Sequence, residues 1–249
     1  MADSSRYSAL CIPNKRYTLE LYLCTDSKVN SKSIYMQDST KRARGRPRAY
    51  NRAAALKAIT SLFWRHGFSA TSLDDISAAT SMSRPSLYQA FGSKADMYQQ
   101  AFAGFVQRMA TATSAALDVS ESPDVALVNF FHAIMDIYFD EDSAVGCFVF
   151  CTTVAETGNH PEFQNALHAV IEKLDAALSE YFQNAQHANL IRAESDVQAL
   201  ATLTQGLLQH IAIRARAGDS KEELLKRVKS GLSAILDYHC SNSLSEPGS

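Results

Sequence analysis

The chain has 249 residues, 46% of them hydrophobic, and a formal net charge of −2, which is enough material for a core that needs no disulfide or metal to hold it. Its five cysteines, Cys11, Cys24, Cys147, Cys151 and Cys240, are odd in number and lack framework spacing, which excludes a disulfide scaffold and points to a reducing, cytoplasmic setting. No apolar run approaches the roughly 20 residues of a membrane span, and no basic-then-apolar leader opens the sequence.

Residues 1–40 show no sustained period and are expected to be a disordered extension, with Met36 as a candidate natural start just ahead of a basic arm. That arm holds Lys41, Arg42, Arg44, Arg46, Arg48 and Arg52, six cations in twelve positions without an acid. Across residues 41–94 ten cations face only Asp74 and Asp75, a net of +8 that leaves −10 for the remainder. A basic module on an acidic body makes double-stranded DNA the expected partner of one end of the chain.

From Asn51 onward apolar residues recur at spacings of three and four without strand alternation, so the predicted fold class is all-α. Leu56, Ile59, Leu62 and Phe63 mark a first helix stopped at His66-Gly67, where glycine supplies a left-handed end. Thr71 or Ser72 caps a second, with Asp74 and Asp75 in its first turn. Ser83 caps a third, with Pro85 in the first turn where its missing N–H costs nothing. Ser93 caps a fourth that runs to about Leu117. Beyond Pro123, helical segments are predicted at about 124–139, 146–157, 161–186, 195–217 and 220–238, broken by Gly146, Gly158 with Pro161, the Asn189 region and Gly218-Asp219. This divides the chain into a basic arm and head (41–94), a larger helical body (95–240) and a disordered tail (241–249).

Leu73, Ile76, Leu87 and Phe91 have the spacing to form the head's core with Phe63 and Phe68. What remains on the third helix is Ser83, Arg84, Pro85, Ser86, Tyr88 and Gln89, a polar and non-acidic face suited to base edges and phosphates. Two short helices joined by a tight turn, the second carrying such a face, describe a helix-turn-helix.

The segment from Gly45 to about Tyr98 resembles the DNA-binding domain of the TetR family of bacterial transcriptional regulators. The resemblance rests on Phe68-Ser69-Ala70-Thr71-Ser72, on Asp75-Ile76, and on Ser83-Arg84-Pro85-Ser86-Leu87-Tyr88 with Phe91 and Lys94. Ser81 stands where the family usually places a turn glycine, and Pro85 where it usually has a small residue. The resemblance implies an N-terminal three-helix DNA-binding domain followed by a helical ligand-binding and dimerisation domain, in a regulator and not an enzyme. By it, Arg84, Ser86 and Gln89 face bases and Pro85 meets a thymine methyl. Ser83 opens the reading helix, while Thr71, Ser72, Tyr88 and Lys94 hold phosphates. Arg44 and Arg46 follow the backbone or enter the minor groove.

Heads of this kind bind as pairs on palindromic half-sites about 34–36 Å apart, so the body is expected to form a homodimer. Leu200, Leu203, Leu207 and Ile211 form one apolar stripe, and Leu224, Val228, Leu232, Ile235 and Leu236 another, with Gly206 and Gly231 permitting close approach. The resemblance places the dimer interface on these last two helices. It places a cavity for a small apolar or aromatic inducer among Phe105, Met109, Phe131, Ile134, Met135, Tyr138, Phe148, Cys151, Thr152, Phe163 and His168.

Two rival readings remain open at this point. Cys147 and Cys151, four apart on one helix face, allow a thiol-based redox sensor; a helical carrier or enzyme that keeps the head as scaffold is the other. The histidines are scattered and no nucleophile or phosphate-cradling motif is present, so neither a metal nor a cofactor is expected.

Overall fold

The computed structural model describes residues 51–140 and 146–241, the side chains of 237–241 excepted. The extension, the arm up to residue 50 with Arg44 and Arg46, and residues 242–249 of the tail lie outside the described residues. Among the described residues eight α-helices follow one another: α1 (Arg52–Ala70), α2 (Leu73–Thr80), α3 (Arg84–Phe91), α4 (Lys94–Ala116), α5 (Pro123–Tyr138), α6 (Pro161–His187), α7 (Val197–Arg216) and α8 (Lys221–Ser241). Between α5 and α6 the chain makes a π-helical turn at Val149–Thr153 and a 3₁₀ turn at Val154–Glu156. The fold is all-α, and among the described residues no helix is long and apolar enough to cross a membrane.

Local chemistry sets the head's boundaries. Asn51 caps α1 by accepting from the amides of Ala53 and Ala54, and the α1 helix breaks at Gly67, whose φ of 78° and ψ of 178° leave the helical region. Ser72 caps α2 and Ser93 caps α4, each in a reciprocal box with the carboxylate three residues on, Asp75 and Asp96. Ser81 takes the left-handed conformation that ends α2, with φ 54° and ψ 28°, the geometry for which glycine is the usual residue. Ser83 caps α3 and Pro85 occupies its first turn.

One apolar core runs through the whole described chain, from Ala55 to Ile235. In the head it takes in Phe63, Phe68, Ile76, Leu87 and Phe91, as their spacing predicts, and also Trp64 and Met82. α4 is the shared element: it packs on α1 in the head and α5 in the body, while α6, α7 and α8 pack in sequence and α5 closes against α8.

The last two helices differ from expectation in which way their stripes face. Leu200, Ile211, Leu224, Val228, Leu232 and Ile235 are buried in the chain's own core, because α7 and α8 pack on each other and on α5 and α6. Leu203 is 48% exposed and Ile213 60% exposed. With half-buried Leu207 and exposed His210 between them, they form the outward face of α7. Gly231 lies against Leu207, where a Cβ would sit 2.9 Å from its Cδ2; at Gly206 nothing lies within 4 Å.

Candidate nucleic-acid interface

α3 turns Leu87 and Phe91 inward and leaves Ser83, Arg84, Pro85, Ser86, Tyr88 and Gln89 exposed on one continuous surface. Tyr88 is a large apolar ring left 49% exposed, held there because the helix that carries it is anchored by its opposite side. Ser83 Oγ lies 2.9 Å from Ser86 Oγ, so the two hydroxyls meet at the first turn. Ser72, the α2 cap, is also exposed. The turn between the helices is stitched by hydroxyls: Thr80 donates to Ile76 O at 2.7 Å and Ser77 to Met82 O at 2.5 Å.

Arg84 is not free on this surface. Its Nε donates to Asp74 Oδ1 at 3.0 Å and its Nη2 to Asp74 Oδ2 at 2.5 Å, with both side chains more than half exposed. The Asp74 hydrogen bonds and charge hold the guanidinium still more firmly protonated than usual. Sequence spacing gives no sign of this pair, which joins residues ten apart on two helices across the turn.

Two expected phosphate contacts sit elsewhere. Thr71 is 1% exposed and its hydroxyl donates to Gly67 O at 2.7 Å, so it closes the end of α1 and is not available to a phosphate. The Lys94 ammonium lies 4.4 Å from the Phe68 ring centroid. Burial lowers its pKa, with Glu156 opposing. It therefore faces the joint between head and body.

That joint is the feature the sequence concealed. Glu156, 7% exposed, accepts from the Ser69 amide at 3.0 Å through Oε1 and from the Ser69 hydroxyl at 2.6 Å through Oε2. Trp64 Nε1 donates to Gly146 O at 3.0 Å, and Arg216 donates to Trp64 O at 2.7 Å and Arg65 O at 2.6 Å. Gly146 has φ +68°, and a Cβ there would lie 2.4 Å from Ala212 O. The C-terminal end of α1 is thus held by both the 146–156 segment and α7.

The residues expected around an inducer are mostly brought together, as a packed cluster. Phe105, Phe131, Ile134, Met135, Tyr138, Phe148, Thr152 and Phe163 are buried, and Met109 and Cys151 are half-buried. Rings meet in series, edge to face or tilted, Trp64 to Phe105 at 5.1 Å, Phe105 to Phe148 at 5.8 Å, Phe148 to Tyr98 at 5.2 Å and Tyr98 to Phe163 at 4.7 Å. Tyr98 bonds both Thr152 and Thr153 hydroxyls at 2.9 Å. His168 does not belong to this set: its side chain is 74% exposed and lies 3.9 Å from Glu172 one turn on, because α6 presents this face to solvent. A groove of about 950 Å³ lies away from the cluster, between the start of α5, residues 189–195 and α8.

Burial pushes the Cys147 thiol up to about 12 and raises Cys151 as well. Thiols so protonated are poor nucleophiles at neutral pH.

Residues 55–101 match the family described as bacterial regulatory proteins, tetR family, and residues 124–230 the tetracyclin repressor-like C-terminal domain. The HTH-type transcriptional repressor ComR of Escherichia coli is 34% identical over 196 residues, spanning 76% of this chain and 92% of ComR. The repressor BdcR of the same organism is 26% identical over 183 residues, spanning 74% of this chain and 88% of BdcR. Among solved structures, a cysteine-substituted variant of the TetR-family regulator CifR in complex with 26-base-pair operator DNA superposes with a TM-score of 0.70 at 25% identity, covering 76% of this chain and 99% of that one. With both the head and the body matched and the α3 surface presented as described, the chain belongs to the TetR family of transcriptional regulators, a family of regulators and not of enzymes.

Proposed function

We propose that this protein is a homodimeric repressor that binds a palindromic operator with α3 in the major groove and releases it when a small apolar or aromatic molecule enters the body. The observation that carries the reading is the exposed face of α3, polar and free of carboxylates, on a helix held by its opposite side. Ser86, Gln89 and Arg84 have the donors for base edges, Pro85 an apolar surface for a thymine methyl, and Ser72 and Tyr88 hydroxyls for phosphates. Arg44 and Arg46 supply sequence-independent attraction ahead of the head. A protein that acts on chromosomal DNA works in the cytoplasm.

Pairing is assigned to the outward face of α7, Leu203, Leu207 and Ile213, with Ser230 and Ala234 as small exposed residues on α8. An exposed apolar row on α7 beside small residues of α8 is what a second copy covers. The inducer is assigned to the aromatic cluster, where the buried Tyr138 hydroxyl beside the Cys147 thiol offers a polar handle. Parting those rings displaces α4 and the 146–156 segment together, and both reach the head. The inducer must prefer the DNA-free geometry, since equal affinity for both shifts nothing. The raised thiol pKa values weigh against a redox trigger at Cys147 or Cys151.

The test is selection from random duplex DNA followed by salt titration of the selected site. If each of two subunits neutralises about four phosphates, the log–log slope is roughly −7. Failure to enrich any sequence, or a slope near zero, overturns the reading.

A further inference from the structure

The carboxylates of the head are divided by task. Asp75 is committed to the Ser72 cap and Asp96 to the Ser93 cap. Asp74 has no capping role, and its side chain, 74% exposed, grips Arg84 on the proposed reading surface. An exposed pair of this kind adds little to stability, and a carboxylate beside DNA repels phosphate. Its effect is to be sought in what it does to Arg84.

The geometry of the grip is informative. Arg84 offers five N–H groups, and Asp74 takes the side-on pair, Nε at 3.0 Å and one hydrogen of Nη2 at 2.5 Å. The end-on edge of the guanidinium, one Nη1 hydrogen and the second of Nη2, is left for a partner. Two parallel donors on that edge match guanine O6 and N7, the commonest base-specific contact of arginine. Both ends of the pair are fixed: Asp74 sits in the first turn of α2 next to its capping box, and Arg84 starts α3 beside Pro85, whose ring sets the backbone. The side chain is therefore ordered before DNA arrives.

We propose that Asp74 is a specificity-determining positioning residue, which holds Arg84 side-on so that its end-on edge reads one guanine in each half-site. This rests on the DNA-binding reading above. Asp74 touches no base; it acts through Arg84, lowering affinity for phosphate in general while sharpening one position.

Selection from a random duplex library, followed by affinity measurements on single-base variants of the selected site, tests it with the full-length protein. The wild type enriches a symmetric pair of guanines, and Arg84→Ala flattens that pair by about 5-fold to about 150-fold. Asp74→Ala is expected to flatten the same pair by at least about 5-fold, leave preferences at other positions unchanged, and add nothing to Arg84→Ala in the double variant. Asp74→Asn, which retains one acceptor oxygen, lies between. A structural role for Asp74 would weaken all sequences alike, and simple repulsion would strengthen all alike; either result, with the guanine preference kept, overturns the proposal. So does an Arg84→Ala profile identical to wild type. Failure of the wild type to enrich any sequence is a different outcome, which removes the DNA-binding reading itself.

Discussion

Glu156 shows how much one residue carries in this molecule. Its carboxylate is buried and both oxygens are spent on Ser69, so it fixes the last residues of α1 to the body. Hydrogen bonds to a charged group are the stronger kind, and Glu156→Ala is expected to cost about 2 kcal/mol in denaturant unfolding, with amide exchange accelerated most at Ser69. Cys147 gives a pH prediction. Burial lets its thiol hold a proton in the folded state up to about 12, above its ordinary 9.0; between these values the folded state binds more protons than the unfolded one, so stability falls as pH rises through that window. Alkylation at neutral pH is expected to spare Cys147 until the protein unfolds, which quantitative labelling with mass detection reads directly. Nothing in the sequence distinguished Glu156 from other acids, or His168 from a core histidine, because burial at these positions is set by residues more than 80 positions away and by the rotation of a long helix.

At the level of elements the sequence was far more legible. Caps, a proline in the first turn and terminal glycines act over three or four residues, and Asn51, Ser72, Ser83, Ser93 and Gly67 stand where local chemistry puts them. The turn between α2 and α3 bends at Ser81 in the left-handed region, which costs a residue with a Cβ about 1 kcal/mol or more. Ser81→Gly is therefore expected to stabilise the protein by up to about 1 kcal/mol, read as a rise in the denaturation midpoint. Gly146→Ala acts the opposite way: positive φ and a Cβ aimed at Ala212 O predict a loss of about 2 kcal/mol or more and weakening of the Trp64 contact, visible in its fluorescence. The segment 146–157 was legible as helical but not as π-helical and 3₁₀ turns, since that choice depends on the α1 end and α7 it meets.

For the whole molecule, helical spacing identified the apolar stripes of α7 and α8 but not their direction. A stripe looks the same in sequence whether it meets its own core or a second copy, and here Leu200, Ile211, Leu224, Val228, Leu232 and Ile235 went inward while Leu203 and Ile213 stayed out. The paired assembly is tested by Leu203→Asp with Ile213→Asp: sedimentation is expected to show monomers with unchanged helix content, and operator affinity to fall by well over tenfold because each monomer grips only one half-site. The core that runs without a gap from Ala55 to Ile235 carries a separate consequence. Phe68 meets Phe163, and Trp64 meets Phe105, so a fragment ending at Phe91 would open its largest rings to water. Such a fragment is not a transplantable cassette, and heating the intact chain should give a single calorimetric transition with no early melting of α1 to α3.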